Sequence, residues 1–314
     1  MNVLFAPACS DLERRRALYD GDLLILPPSP GTLDLAAFAR SLIEEAFAPW
    51  SPPHAHEHLP VQEAVDVLVK LKPHFIHHPR TKGLLQRVLL EHGCDPDTTY
   101  QDVPRLRVAY PKDYLTTGIA YAHHPHRDTW YSAPSCQLNW WMPLWDFEAR
   151  QGMAFHPSYW NRAIDNDSAG FDYYRWNAEG RRNAGQHVGK DTRRQPHALE
   201  TLALDDALRF VVPTGGIILF SADQLHSTVP NETALARWSI DFRTVDLDDV
   251  AARRGAPARD AACTGTSLRD FRRVRDLAAM PEDVVAALDT GTPEQGAAVY
   301  RPQPAGDQTI AAPL

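Results

Sequence analysis

The chain has 314 residues, 44% of them hydrophobic and 23% charged, and a formal net charge of −8. It is too apolar for an intrinsically disordered chain, and the acidic balance argues against a general binder of nucleic acid or of an anionic membrane surface, which are held by Lys and Arg. Four scattered cysteines (Cys9, Cys94, Cys136, Cys263) form no CxxC pair, which excludes a zinc ribbon and a disulfide-dense secreted scaffold and points to a reducing cytoplasm. No apolar run approaches the roughly 18 residues of a membrane span, and no signal peptide is read at the start of the chain.

Residues 21–26 form a short apolar run that stops at Pro27-Pro28, the pattern of a strand. Thr32 is placed to cap a helix whose apolar residues Leu35, Phe38, Leu42, Ile43 and Ala46 share one face. A second helix is expected over 61–71, broken at Pro73, and a third over 81–92, with Gly93 just past its end. After residue 100 the pattern changes to short strands, at 105–110, 117–121, 136–144, 152–155, 208–212, 216–220 and 237–245. Pro213-Thr214-Gly215-Gly216 supplies a tight turn between two of them. Residues 157–206 make a long polar and aromatic insertion, a length uncommon in a compact domain unless the segment is a lid or binding loop. Helices are expected at 268–277 and 282–288, with a loose tail from about residue 290. The expected fold is mainly β with helical additions, an antiparallel barrel or jelly roll buttressed by helices. One domain over 1–314 fits better than two, with an N-terminal helical layer to residue 100, a β core over 101–249 and C-terminal additions after it.

The chemistry concentrates in three places. His126-Arg127-Asp128 follows an expected strand; alone this spacing is weak, since a chain with 14 histidines offers about one His-x-Asp by chance. A hundred residues on, the glycine turn feeds the apolar strand expected at 216–220, and His226 follows at its mouth. Two imidazoles and one carboxylate on a rigid β scaffold suit the facial triad of non-heme Fe(II) oxygenases, whose other positions stay open. Eleven residues after His226 come Arg237 and Ser239, which point to the same side of a strand and together suit a carboxylate. Arg243 lies on that side too and is the rival anion anchor. His123 and His124 precede the His-x-Asp motif without an aspartate two residues on, so they are read as neighbours of the site or exposed residues. His54, His56 and His58 mimic a metal-binding spacing, but in a Pro-flanked loop rather than on a strand.

With these residues in place the sequence resembles the Fe(II)/2-oxoglutarate-dependent dioxygenases, in their phytanoyl-CoA-hydroxylase-like branch. The matching pieces are His126-x-Asp128, the glycine-rich strand running into Leu225-His226-Ser227-Thr228-Val229-Pro230-Asn231, Arg237, and the Tyr19–Leu24 segment followed by a helix. The likeness covers about residues 10–245 and departs from the branch at Phe155-His156-Pro157-Ser158 and in the large insertion. It implies a double-stranded β-helix of cupin-like jelly-roll type, with Fe(II) held by His126, Asp128 and His226. It implies 2-oxoglutarate anchored on Arg237 and Ser239, and O2 as the second co-substrate. The implied reaction hydroxylates a C–H bond of a small organic molecule with release of succinate and CO2. Asp128 favours hydroxylation over halogenation, because halogenating relatives replace this carboxylate with a small residue.

Gln137, Asn139 and Trp141 share one face of their strand. If that face lines the barrel, Gln137 and Asn139 are candidates to bond 2-oxoglutarate or substrate and Trp141 to wall the substrate; a polar outer face is the alternative. Residues 175–194 carry six basic and two acidic residues, a net of +4 inside the acidic chain. They are either a solvated loop or a basic rim, including Arg181 and Arg182, for an anionic substrate. Two competing readings remain: a cupin-type metalloenzyme that works without 2-oxoglutarate, and a non-catalytic jelly-roll binding protein.

Overall fold

The computed structural model describes residues 1–120, 124–180 and 183–291. Helix α1 (Asp11–Tyr19), not expected from the sequence, starts on a reciprocal capping box: Ser10 Oγ accepts from Glu13 N at 3.3 Å, and Glu13 Oε2 accepts from Ser10 N at 2.8 Å. Helix α2 (Pro30–Phe47) uses the same device one turn earlier than expected. Ser29 is the cap, Pro30 opens the first turn, and Thr32 is the reciprocal partner rather than the cap.

Helix α3 (Val61–His77) does not break at Pro73. Its core stripe of Ala64, Val65, Leu68, Leu71 and Phe75 is buried along the whole length, whereas Pro73 lies on an exposed stripe beside Val69. Pro73 is itself exposed there. Val69, whose carbonyl loses its helical partner, is 45% exposed, so burial of the opposite stripe prevails over the local defect. Helix α4 (Pro79–Glu91) ends as expected beside Gly93, at φ +75°.

An eight-stranded sheet forms the centre. Its order is β1 (Val3–Phe5), β2 (Leu23–Leu26), β8 (Ile217–Ser221), β5 (Leu138–Pro143), β10 (Arg237–Asp246), β3 (Thr99–Gln101) and β11 (Arg272–Arg273), with β4 (Arg105–Ala109) also paired to β10. The long β10 is the spine: its first half faces β4, its second half faces β3, and β5 runs along its other side. The sheet is mixed because β1 runs parallel to β2. Period-2 alternation divides its faces. Trp140, Met142, Trp238, Ile240 and Phe242 pack against the helical layer, whereas Asn139, Trp141, Arg237, Ser239, Asp241 and Arg243 look the other way, into a cavity.

A second sheet contains β7 (Leu208–Arg209), β6 (Met153–Phe155) and β9 (His226–Thr228), all antiparallel. Met153 and Phe155 of this sheet meet Trp141, Ile218 and Phe220 of the larger one in a shared apolar cluster. The fold is therefore sheet-rich with helical additions. Residues 118–120, expected within a strand, form a 3-10 turn, since Gly118 at φ +60° cannot continue an extended chain and a Cβ there would overlap the carbonyl oxygen of Ala184. The expected helix over 268–277 is replaced by a 3-10 turn at Ser267–Asp270 and by β11, which pairs with β3 and buries Phe271. Among the described residues no helix is long and apolar enough to cross a membrane.

Tyr173 and Tyr174 of the insertion are buried, not displayed. Their hydroxyls donate to Asp270 (2.6 Å) and Asp289 of the C-terminal segment. The expected tail lies outside the described residues from 292 onward.

Candidate metal centre

His126 and His226 are joined before any ion is considered. Their main chains exchange two hydrogen bonds, each N–H donating to the other's carbonyl at 3.0 Å. Asp128 N donates to Ala222 O at 2.9 Å, which ties the third residue to the loop between β8 and β9. The side chains converge: His126 Nε2 lies 3.3 Å and His226 Nε2 3.9 Å from Asp128 Oδ1. All three residues are buried, and their ligand atoms lie within 4.8 Å of one another.

The remaining ring nitrogens fix the tautomers. His126 Nδ1 bonds the carbonyl of His124 at 2.7 Å, and His226 Nδ1 bonds that of Gln224 at 2.9 Å. A carbonyl only accepts, so each Nδ1 carries a proton, and Nε2 is the nitrogen left to face the centre. Burial, reinforced by the charge of His126 and opposed by Asp128, pushes His226 down to about 4, so it is neutral at pH 7. Burial would raise the Asp128 carboxyl, but the bond to His126, the charges of both histidines and a bond from Asn139 hold it at about 2. Two imidazole nitrogens and one carboxylate oxygen on one side are a donor set that fits a divalent first-row ion.

Gln137 and Asn139 do face the cavity, and their amides turn to Asp128. Asn139 Nδ2 donates to Asp128 Oδ2 at 3.0 Å and Gln137 Nε2 does so at 3.3 Å, while Gln137 also donates to Asn139 Oδ1 at 2.9 Å. This occupies Oδ2 and leaves Oδ1 toward the histidines.

Arg237 and Arg243 have different surroundings. Arg243 lies 3.4 Å from carboxylate oxygens of both Asp102 and Asp241 and 3.6 Å from Asp128 Oδ2. Arg237 has no carboxylate partner among the described residues. It donates to Ser239 Oγ at 3.4 Å, sits 5.3 Å from the Trp141 ring centre, and its buried Nε has no acceptor. Burial, with Arg107 nearby and Asp241 opposing, brings its pKa down to about 10, still fully charged at pH 7. A buried, unpaired guanidinium is costly unless an anion completes it, which fits the distal carboxylate of a dicarboxylic co-substrate.

The centre opens into a cavity of about 610 Å³ whose wall includes Phe171, Tyr173, Trp176 and Arg193 of the insertion and Lys72 of α3. Arg181, Arg182 and His123 lie outside the described residues. His124 stacks on His197 with ring centres 4.0 Å apart. His54 pairs with Glu57 at 2.9 Å, and His56 packs against Tyr110 and Tyr114, away from the centre.

Sequence reasoning missed Arg127, the residue between two of the ligands. Strand-like alternation turns it to the opposite side, where it is 2% exposed and donates to the carbonyls of Asp223 (2.6 Å), Tyr159 (2.7 Å) and Arg162 (2.9 Å). Its charge meets Asp260 at 3.2 Å and Asp223 at 3.6 Å. The one available signal was an arginine at the single position of the tripeptide that cannot face the metal.

No family profile matches the chain, and no curated protein matches it. Solved structures do. The non-heme α-ketoglutarate-dependent epimerase SnoN from nogalamycin biosynthesis is 18% identical, with 75% of this chain and 83% of that one covered and a TM-score of 0.38. The carbocyclase SnoK of the same biosynthesis is 15% identical over 77% and 85%, with a TM-score of 0.39. EvdO2 from Micromonospora carbonacea var. aurantiaca, complexed with 2-oxoglutarate, is 13% identical over 76% and 92%, with a TM-score of 0.44. SnoN is also known in complex with Fe3+, α-ketoglutarate and nogalamycin RO.

Proposed function

We propose that this protein is an Fe(II)- and 2-oxoglutarate-dependent oxygenase that hydroxylates an unactivated C–H bond of a small organic substrate. One observation carries the reading: a buried His126–Asp128–His226 triad shares a cavity with Arg237, a buried cation that lacks a carboxylate of its own. On this reading the chain is a single jelly-roll oxygenase domain, and residues 157–206 act as its lid. When bound, Fe(II), 2-oxoglutarate and O2 supply the oxidant, with succinate and CO2 as co-products.

The protein's own groups do the positioning. His126, Asp128 and His226 hold the metal through Nε2, Oδ1 and Nε2. Gln137 and Asn139 keep Asp128 from rotating. Arg237 and Ser239 receive the far carboxylate of 2-oxoglutarate, with the Trp141 ring lying against the guanidinium. Arg243 is already matched to Asp102 and Asp241, which makes Arg237 the anchor. Phe171, Tyr173 and Trp176 exclude water above the reacting carbon.

Anaerobic addition of Fe(II) and 2-oxoglutarate tests the reading by the visible charge-transfer band of the chelate. Wild-type protein should give the band, and His226→Ala should not. Arg237→Ala should leave metal binding intact and weaken 2-oxoglutarate binding by about 10–100-fold, the loss of one charge-assisted contact. Unchanged 2-oxoglutarate affinity in Arg237→Ala would favour a metalloenzyme that works without this co-substrate.

A further inference from the structure

Helix α3 has a second stripe. Val69, Lys72, Pro73 and Ile76 recur at helical spacing and line the cavity, on a side distinct from the core stripe. Lys72 is the one ionisable residue among them. Its Nζ donates to the carbonyl of Ile119, in the turn that carries Gly118.

Among the described residues, the cations of the cavity wall are Lys72, Arg105, Arg107, Arg193, Arg237 and Arg243. Four have carboxylate partners. Arg105 pairs with Asp102, Arg107 with both oxygens of Asp241 (2.6 and 3.3 Å), Arg193 with Asp191 (Nε to Oδ1 2.8 Å), and Arg243 with Asp102 and Asp241. Arg237 and Lys72 have none among the described residues. Both pay for that in their ionisation: burial, with the charge of Arg107 added and that of Asp241 opposed, brings the Lys72 ammonium down to about 7. An opposite charge beside it would restore the protonated form.

We propose that Lys72 binds an anionic group on the substrate, at the α3 end of the cavity, and so selects organic acids or phosphate esters with an apolar body. This rests on the oxygenase reading, in which Arg237 is taken by 2-oxoglutarate and, among the described residues that line the cavity, Lys72 is left for the substrate. The wall fits such a body, since Val69 and Ile76 flank the lysine on the helix, Ile119 accepts its hydrogen bond, and Trp176 lines the same cavity. The insertion closes this end as well. Arg193 donates to Gly118 O at 3.1 Å, and Gly185 lies against Val69 closely enough that a Cβ would overlap it.

The test uses the protein loaded anaerobically with Fe(II) and 2-oxoglutarate. Its five lysines are acetylated briefly with acetic anhydride at pH 7, and the modification of each is read by mass spectrometry of proteolytic peptides. Phenylacetate and phenyl phosphate are the anionic probes and phenylacetamide the neutral control. At least one anion should slow acetylation of Lys72 about tenfold, with no effect on the other lysines or from the amide; which anion protects distinguishes carboxylate from phosphate. Lys72→Met should lose affinity for the protecting anion, Lys72→Arg should retain it, and both should bind 2-oxoglutarate as wild type does. Equal protection by amide and acid, or none by either anion, would overturn the assignment. The charge-transfer band in the same samples keeps the two readings apart, because its absence would sink the oxygenase itself.

Discussion

Asn139 makes the shorter of the two amide bonds to Asp128, so Asn139→Ala frees the ligand carboxylate to rotate. Metal affinity should fall by about 10–100-fold with little loss of thermal stability, as measured by competition with a chelator. The same residues set an acid dependence. His226 and His124 are both held at about 4 in the folded protein, chiefly by burial, against an ordinary value of 6.5. Between those values the unfolded chain binds more protons, so the metal-free protein should lose stability as pH falls from about 6.5 to about 4. Asp128, held at about 2 against 3.8, adds a second loss over that lower window. Melting curves across pH check both, and His226→Gln should flatten the upper one. The three metal-binding candidates were legible because each rests on a local signal: a two-residue spacing, or a glycine turn feeding an apolar strand. The duty of Gln137 and Asn139 was not, because it depends on how the 126–128 segment docks over β5. Strand alternation could bring them to the cavity but not tell which acceptor they would meet.

At the level of elements, Gly118 governs how the insertion sits. Gly118→Ala would force both a positive φ on alanine and a collision with the backbone at Ala184, in the contact that joins the insertion to the cavity edge. The insertion should become more susceptible to limited proteolysis. On the proposed oxygenase reading, succinate release uncoupled from substrate oxidation should rise, because water reaches the centre. The periodicity of α2, α3 and α4 and the strands of the β core could be read from sequence because each buries one face. Pro73 misled because a helix breaker matters less on a stripe that lies outside the buried core. Residues 268–277 misled because β11 forms only where the edge of β3 is there to receive it, a partner 170 residues away that no local pattern encodes.

Across the whole molecule, Arg127 joins the metal segment to the loop at Asp223, the start of the insertion at Tyr159 and Arg162, and Asp260 in the C-terminal region. Arg127→Met would leave two buried carboxylates without their cation, a cost of about 3–5 kcal/mol that chemical denaturation would read directly. The net charge of −8 says nothing of this interior, where, among the described residues of the cavity wall, four cations meet carboxylates and Arg237 and Lys72 do not.

The main-chain bonds between His126 and His226 carry a further consequence. Because a sheet spaces these donors before any ion arrives, no particular ion is needed to assemble the site, and two imidazoles with one carboxylate are ligands that every divalent first-row ion accepts. In that case binding follows the intrinsic order of the ions, in which nickel, copper and zinc outrank iron. Protein made in rich medium should therefore emerge with a metal content that mirrors the medium, as elemental analysis would show, and on the proposed oxygenase reading its activity should follow the iron fraction alone. Which metal occupies the site is decided by supply in the host, before the polypeptide meets its substrate.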